Sequence, residues 1–262
     1  MALIVEIADA ADPRVDNFRD LKRADRRPDR PGGKGLVIAE GVVVVRRLLA
    51  SAYPVRALLG VRRRIEELRA ELPDAPAYVA SAEVMANVIG FHLNRGVLAV
   101  ADRAAAPEPA AIVATARILA VLEGIGDHEN LGALFRNAAA LGVGGVLLGP
   151  GCSDPLYRRS VRVSMGHVLR VPFAAMDSWP GGLAALRRGG FTVAALTPMS
   201  DAMPLAAVPG GKVAVLLGSE GHGLSEDALR AADVKLRIPM TGGVDSLNVA
   251  TAAAVAFYAL TP

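Results

Sequence analysis

The chain has 262 residues, enough for one large domain or two ordinary ones with sizeable cores. Apolar residues make up 52% of it but aromatic residues only 4%, so alanine, valine and leucine must build the core, as is typical of α/β folds. The single cysteine excludes an internal disulfide, and no segment reaches the roughly 18 uncharged apolar residues of a membrane helix. MALIVEIADAAD lacks the pattern of a secretory signal, so we expect a cytoplasmic protein with no membrane partner.

Basic residues are concentrated near the N-terminus, although the net charge is only +3. Segment 19–34 reads RDLKRADRRPDRPGGK, and exposed basic loops attract nucleic acid through phosphate contacts and counterion release. Acidic residues are interspersed, so a solvated loop without a partner is the alternative. The residues of this segment predicted to contact nucleic acid are Arg23, Arg26, Arg27 and Arg30.

The next seventy residues predict a small α/β unit. Buried or short strands are indicated at GLVIAEG, VRALLG, AYVA and GVLAVADR. Helical periodicity is visible in RRRIEELRAEL and in SAEVMANVIG, where Ser81 is the predicted N-cap. VVVVRRLLASA is either a helix or a strand that runs into one.

AAAPEPAAI (104–112) is rich in alanine and proline and lacks periodicity, which favours a linker. We therefore expect an N-terminal domain at 1–106, a linker at 107–115 and a second domain at 116–262.

Strands and helices alternate from residue 116 onward, which predicts a parallel sheet covered on both faces. Ligands of such sheets bind at the carboxyl ends of the strands. Three polar, glycine-bearing segments follow predicted strands and should meet there: GDHENLG, GSEGHGLS and PMTGGVDSLN.

The first segment leads into a helix in which Leu134, Ala138 and Leu141 repeat on one face and should point to the core. Arg136 falls off that stripe and can point over the strand ends. In the alternative interpretation Asn130 is only a helix cap and Arg136 a solvated surface residue.

The second segment places Glu220 among three glycines, which allow a close backbone approach to a ligand. Arg136 is its predicted partner. The segment lacks the patterns of a P-loop or a dinucleotide site, and its carboxylate would repel phosphate, so an uncharged or cationic ligand is favoured. A tight turn before a helix at 224–232 is the alternative.

The third segment places two polar side chains at the start of an alanine-rich helix. Ser246 is the expected cap, and Asn248 offers both a donor and an acceptor. The alanines behind them allow close packing against another element or another subunit.

Taken in this order and spacing, the three segments resemble the motifs of the SpoU, or TrmH-like, family of RNA ribose 2′-O-methyltransferases in the SPOUT class. They are NLGALFRNA, with Asn130, Gly132 and Arg136, then LGSEGHGLS and IPMTGGVDSLNVATAAAV. One departure is His128, which stands where the family often has proline.

The resemblance extends over both halves of the chain. VIAEG (37–41) and FHLNRGVLAV (91–100) are similar to the family's ribosomal-protein-like substrate-binding domain. The implied fold is an α/β protein with a C-terminal parallel-sheet SPOUT domain, a deep trefoil knot and a smaller N-terminal α/β domain. The implied partners are RNA, with ribosomal RNA favoured over transfer RNA, and a second copy of the chain. The final helix and segment 155–166 should lie near that homodimer interface.

S-adenosylmethionine is the cofactor that the resemblance implies. The residues expected to bind it are Leu196, Thr197, Gly218, Glu220, Gly221, Ile238, Met240, Ser246 and Leu247. Arg158, Arg159 and Arg162 are expected to reach RNA phosphates, with a basic helix face as the alternative.

Methyl transfer requires alignment of oxygen, methyl and sulfur and no metal, and we predict no metal site because the four histidines are scattered. Arg136 either stabilises the developing alkoxide or accepts its proton; the first is favoured because a guanidinium stays protonated in proteins. The residues expected to orient Arg136 and the ribose are Asn130, Glu220, Ser246 and Asn248.

The competing hypotheses are a catalytically silent RNA-binding protein on the same scaffold and a nucleotide-phosphate-binding α/β protein. The missing phosphate loop disfavours the second of these.

Overall fold

The computed structural model describes residues 3–19, 21, 33–208, 210–241 and 243–261. Their contacts divide the chain into two units. One comprises Met1–Ala105 and Leu156–Arg170, and the other comprises Ala106–Pro155 and Val171–Pro262. Segment 156–170 therefore groups with the first unit, whereas the sequence suggested that everything after 116 belongs to the second.

The first unit contains a mixed five-stranded sheet. Its strands are Ile4–Glu6 (β1), Val37–Glu40 (β2), Val55–Gly60 (β3), Ala77–Val79 (β4) and Val97–Ala101 (β5). The α-helices of this unit are Val42–Leu49, Arg62–Glu67, Ala82–Ile89 and Arg158–Val163, and its 3-10 helices are Pro13–Phe18, Arg69–Glu71 and His167–Leu169.

The strand order of this sheet is β1-β4-β3-β5-β2, with β1, β4 and β3 parallel and β5 antiparallel to both of its neighbours. Every residue of β2 and β5 is buried, because helices cover the sheet. VVVVRRLL forms a helix, which resolves the open choice between helix and strand. Ser81 caps its helix as predicted, since its side chain accepts a hydrogen bond from the Val84 amide at 3.1 Å.

The second unit is built on seven strands. They are Ile118–Leu122 (β6), Gly145–Leu148 (β7), Phe173–Ala175 (β8), Phe191–Leu196 (β9), Met203–Pro204 (β10), Lys212–Leu217 (β11) and Val234–Arg237 (β12). The α-helices of this unit are Pro109–Thr115, His128–Ala140, Leu183–Arg188, Glu226–Ala231 and Val249–Leu260, and its 3-10 helix is Leu205–Ala207.

The strand order is β10-β12-β9-β11-β6-β7-β8 and all pairings are parallel, which confirms the predicted parallel sheet. The register sets Val121 between Leu147 of β7 and Leu216 of β11 in a wholly apolar centre. Along the chain, β7 and β8 follow on one side of β6, and the strands from β9 onward lie on its other side. In parallel sheets a crevice for ligands forms at the carboxyl ends of the strands where the strand order reverses in this way. The trefoil knot implied by the resemblance stays a prediction.

The segment predicted as a linker contains the helix Pro109–Thr115. Proline suits the first turn of a helix because its missing N–H has no intrahelical partner there. Ile112 is only 2% exposed and packs so closely on Gly145 that a Cβ at that position would lie 2.2 Å from the isoleucine Cγ2. One apolar anchor in a short helix leaves too little periodicity for the sequence to reveal it.

No helix within the described ranges has the length and apolar character that crossing a membrane requires.

Candidate functional site

A cavity of about 460 Å³ lies at the carboxyl ends of three neighbouring strands, β9, β11 and β12. This volume is within the usual range for small-molecule sites. All nine residues that the resemblance assigned to cofactor binding line it: Leu196, Thr197, Gly218, Glu220, Gly221, Ile238, Met240, Ser246 and Leu247. The strand ends thus gather segments that are far apart in sequence around one space.

The glycine loop, residues 218–223, forms one wall of the cavity. Its ends are held by hydrogen bonds from the Ser219 amide to the Gly223 carbonyl at 3.1 Å and from the Gly223 amide back to Ser219 at 3.0 Å. A Cβ on Gly218 would lie 2.2 Å from the Gly223 carbonyl carbon, and Gly223 has a φ of +68°. These glycines therefore permit the loop to close on itself, in addition to any approach by a ligand.

Asn248 joins the three polar segments through its side-chain amide. The Nδ2 group donates to Asn130 Oδ1 and to Glu220 Oε1, each at 2.7 Å. The Oδ1 atom accepts from the amides of Ala250 at 3.0 Å and Thr251 at 3.2 Å. All hydrogen-bonding positions of this amide are used, and the caps on the helix fix which end faces the carboxylate. We call Asn130, Glu220 and Asn248 the Asn248 cluster.

The expected cap of the final helix is wrong, and the alternative interpretation of Asn130 as a helix cap is wrong as well. The final helix begins at Val249, so Asn248 is its N-cap and Ser246 lies two residues too early. The helix after β6 begins at His128, where the Asp127 side chain accepts from the amides of Glu129 and Asn130. Asn130 is consequently inside the helix and its side chain is available to Asn248.

Arg136 is exposed in the third turn of the helix His128–Ala140, while Leu134 and Ala138 are buried on its other face, as predicted. No hydrogen bond or ion pair joins Arg136 to Glu220 in the described part of the chain, so the expected partnership is wrong. Glu220 is exposed, and its hydrogen-bond partner is the neutral amide of Asn248.

Sequence patterns did not point to Asn137, which follows Arg136 and joins this helix to the final one. Its Nδ2 donates to the Ala250 carbonyl at 2.8 Å. Ala250 and Ala253 are buried between the two helices, so these alanines of the alanine-rich run pack inside their own unit. This hydrogen bond joins the helix that carries Arg136 to the helix that Asn248 caps, whereas Arg136 itself is not among the described residues that line the cavity.

Sequence reasoning also missed Glu123, a carboxylate that is only 9% exposed at the end of β6. Its Oε1 accepts from the Trp179 indole at 2.5 Å and its Oε2 from the Ser225 amide at 2.9 Å. The sequence feature that could have indicated Glu123 is its position directly after the continuously apolar strand ILAVL. Nearby, burial raises the pKa of the Cys152 thiol, whose sulfur is 3.4 Å from the Leu122 carbonyl oxygen.

The arginines expected to bind RNA are only partly described. Arg23, Arg26, Arg27 and Arg30 lie outside the described residues. The helix Arg158–Val163 belongs to the first unit and exposes Arg159 and Arg162. The Arg158 guanidinium lies 5.0 Å from the centroid of the Phe91 ring, a cation–π contact that occupies this side chain. In the part of the chain that the structure describes, no group of three or more His, Cys, Asp or Glu side chains is placed to hold a metal ion.

Comparisons with known proteins address the same residues. The model of the SpoU rRNA Methylase family matches residues 117–258. A Mycobacterium tuberculosis protein named as an uncharacterized tRNA/rRNA methyltransferase is 58% identical over 261 residues, covering 97% of this chain and 91% of the relative. The Xylella fastidiosa 23S rRNA (guanosine-2′-O-)-methyltransferase RlmB is 36% identical over 141 residues, 54% of this chain and 57% of the relative.

A solved structure shares the fold over nearly the whole chain. It is the SpoU methyltransferase AviRb from Streptomyces viridochromogenes in complex with the cofactor AdoMet, with a TM-score of 0.79 and 23% identity. The alignment covers 95% of this chain and 98% of AviRb.

Proposed function

The chain belongs to the SpoU rRNA Methylase family of RNA methyltransferases, and from this premise we propose that it transfers a methyl group from S-adenosylmethionine to a ribose 2′-hydroxyl of ribosomal RNA. The observation that carries the proposal is the cavity at the strand ends. All nine residues expected to bind the cofactor line it, and one of them, Glu220, accepts a hydrogen bond from Asn248.

The cavity suits a nucleoside with a cationic side chain. Leu196, Ile238 and Leu247 offer apolar contact to a purine ring, and the glycine loop offers backbone groups. The carboxylates of Glu220 and Asp245 also line the cavity and favour a positive charge over a phosphate. S-adenosylmethionine, when bound, supplies an electrophilic methyl group on a sulfonium.

The chain's own contribution to catalysis is alignment and charge stabilisation. The Arg136 guanidinium stabilises the negative charge that develops on the ribose 2′-oxygen. The Asn248 cluster sets the glycine loop against the helix that carries Arg136, since one amide bonds both Glu220 and Asn130 at 2.7 Å. In this mechanism, correct placement of the reacting groups accounts for much of the increase in the rate of methyl transfer.

Ribosomal RNA is the proposed substrate. The name of the matched family and the 23S rRNA specificity in the name of RlmB support it, while the tRNA/rRNA designation of the mycobacterial relative keeps transfer RNA as the alternative. Mapping of 2′-O-methylation in RNA from cells with and without the gene tests this choice. A lost methyl group in a transfer RNA, with ribosomal RNA unchanged, would contradict it.

The protein is proposed to act as a homodimer and as an active enzyme. Support for the dimer comes from the final helix, which exposes Val255 and Tyr258 at 39% and 74%. Incorporation of tritium from labelled S-adenosylmethionine into bulk RNA tests activity. Binding of RNA without incorporation would favour the silent RNA-binding protein instead.

A further inference from the structure

We propose that Glu123 is a positioning residue for cofactor binding, which holds both ends of the glycine loop without touching the ligand. The inference rests on the proposed function, because it concerns the affinity for S-adenosylmethionine. Glu123 is absent from the described residues that line the cavity, so any effect on the ligand must pass through the loop.

The loop that carries Glu220 is fixed at its beginning and at its end by this one residue. The Glu123 amide donates to the carbonyl of Leu217, the last residue of β11, at 2.9 Å. The Glu123 carboxylate accepts from the amide of Ser225 at 2.9 Å, directly after the cavity-lining Leu224. Residues 218–224 therefore lie between two hydrogen bonds to Glu123, the residue that follows β6.

The attachment at Ser225 is reinforced by the helix that follows. The Ser225 side chain accepts from the Ala228 amide at 3.2 Å and caps the helix Glu226–Ala231. Leu224 and Ala228 are buried in the same apolar cluster. A displacement of Ser225 would thus shift both the helix start and the cavity wall at Leu224.

Trp179 holds the carboxylate from the other side. Its indole N–H donates to Glu123 Oε1 at 2.5 Å, so each carboxylate oxygen has its own donor. The indole ring lies on the backbone of Gly149, where a Cβ would come within 3.0 Å of the ring. A buried carboxylate with two such donors has one stable orientation, and this orientation determines where the Ser225 amide that donates to it lies.

The Glu123→Gln variant tests the proposal because glutamine keeps the shape and replaces one acceptor oxygen by an NH₂ group. That group would face one of two N–H donors, so one attachment is lost. We expect the Kd for S-adenosylmethionine, measured by calorimetry, to rise about tenfold or more, as loss of a hydrogen bond to a buried charge implies. The kcat at saturating cofactor should stay within about threefold of the wild type, because bound cofactor selects the same loop position and Arg136 lies on another element.

Trp179→Phe is the companion variant, since it removes only the indole donor that sets the orientation of the Glu123 carboxylate. Its Kd should rise in the same direction as that of Glu123→Gln, because the orientation on which the Ser225 hydrogen bond depends is lost in both. Arg188→Ala, at an exposed side chain of the same unit, is the control, and its Kd should stay within about threefold of the wild-type value. Trp179 is the only tryptophan of the chain, so a red-shifted emission in Glu123→Gln would report release of the indole directly. If Glu123→Gln does not fold, Glu123→Asp retains the charge with a shorter reach and the same titration applies.

A wild-type Kd in a folded Glu123→Gln protein, with or without a lowered melting temperature, would overturn the inference and leave the proposed function standing. Loss of kcat with an unchanged Kd would overturn it as well. Absence of S-adenosylmethionine binding by the wild type would overturn both proposals.

Discussion

At the scale of single residues, Arg136 is the side chain to which the proposed chemistry assigns the reaction step. It is exposed on the helix His128–Ala140, which also carries Asn130 of the Asn248 cluster and which Asn137 joins to the final helix. We expect Arg136→Ala to lower kcat by about 10²- to 10³-fold, as removal of one charge-stabilising group does elsewhere. The Kd for S-adenosylmethionine, measured by calorimetry, should not change. Arg188→Ala, at another exposed arginine of the same unit, is the control, and near-normal turnover of Arg136→Ala would refute the assignment.

Asn248 has two tasks that a pair of substitutions separates. Asn248→Ala removes the helix cap, which costs about 1 kcal/mol. The melting temperature should fall by about 2–4 °C for a chain of this size. Asn248→Asp keeps an acceptor for the amides of Ala250 and Thr251 but sets a carboxylate against Glu220.

Methyl transfer should therefore fall in both variants, while the melting temperature, measured by circular dichroism, should fall clearly only in Asn248→Ala. Full activity in Asn248→Asp would mean that the amide bonds to Asn130 and Glu220 have no role in the reaction.

At the scale of elements, the helix Pro109–Thr115 is the part of the fold that the sequence did not reveal. Ile112→Ala should destabilise the second unit by about 2–4 kcal/mol, because it empties a buried site that contacts the backbone of β7. Urea denaturation followed by circular dichroism measures the loss. Ala111→Ser, on the exposed side of the same helix, should stay within about 0.5 kcal/mol of the wild type.

The elements that were predicted correctly have long apolar runs or clear periodicity. The strands ILAVL and KVAVLL could be recognised because parallel strands buried on both faces are continuously apolar. The gathering of three glycine-bearing segments followed from the shared edge of that sheet. Helix caps were misplaced because Asp127 and Asn130, or Ser246 and Asn248, are equally good caps by residue type, and only the helix start decides between them.

The contacts within the site were less predictable than its position. Glu220, which follows a buried strand, was expected to pair with Arg136, but it is exposed and its partner is the amide of Asn248. Glu123 and Trp179 are 56 residues apart, and neither belongs to a periodic pattern that would indicate their hydrogen bond. Such long-range polar contacts depend on side-chain packing in three dimensions, which sequence spacing does not encode.

At the scale of the whole molecule, the two units carry different parts of the proposed function. The second unit contains the cavity, the Asn248 cluster and Arg136, while the first contains the exposed Arg159 and Arg162. A protein that modifies RNA needs both a reaction site and a surface that attracts phosphates. We therefore propose that the first unit contributes to RNA affinity and that the second carries out the chemistry.

The proposed homodimer follows from the exposed side of the final helix, Val249–Leu260. Val255 and Tyr258 lie three residues apart on one face, while Ala253 and Phe257 are buried inside their own unit. We expect the wild type to elute in size-exclusion chromatography with light scattering at twice the chain mass. Tyr258→Glu places a charge on the exposed face that we propose as the contact and should shift the protein to the monomer. Leu3→Glu, at a comparably exposed apolar residue of the first unit, should leave the mass unchanged, and a monomeric wild type would contradict the proposal.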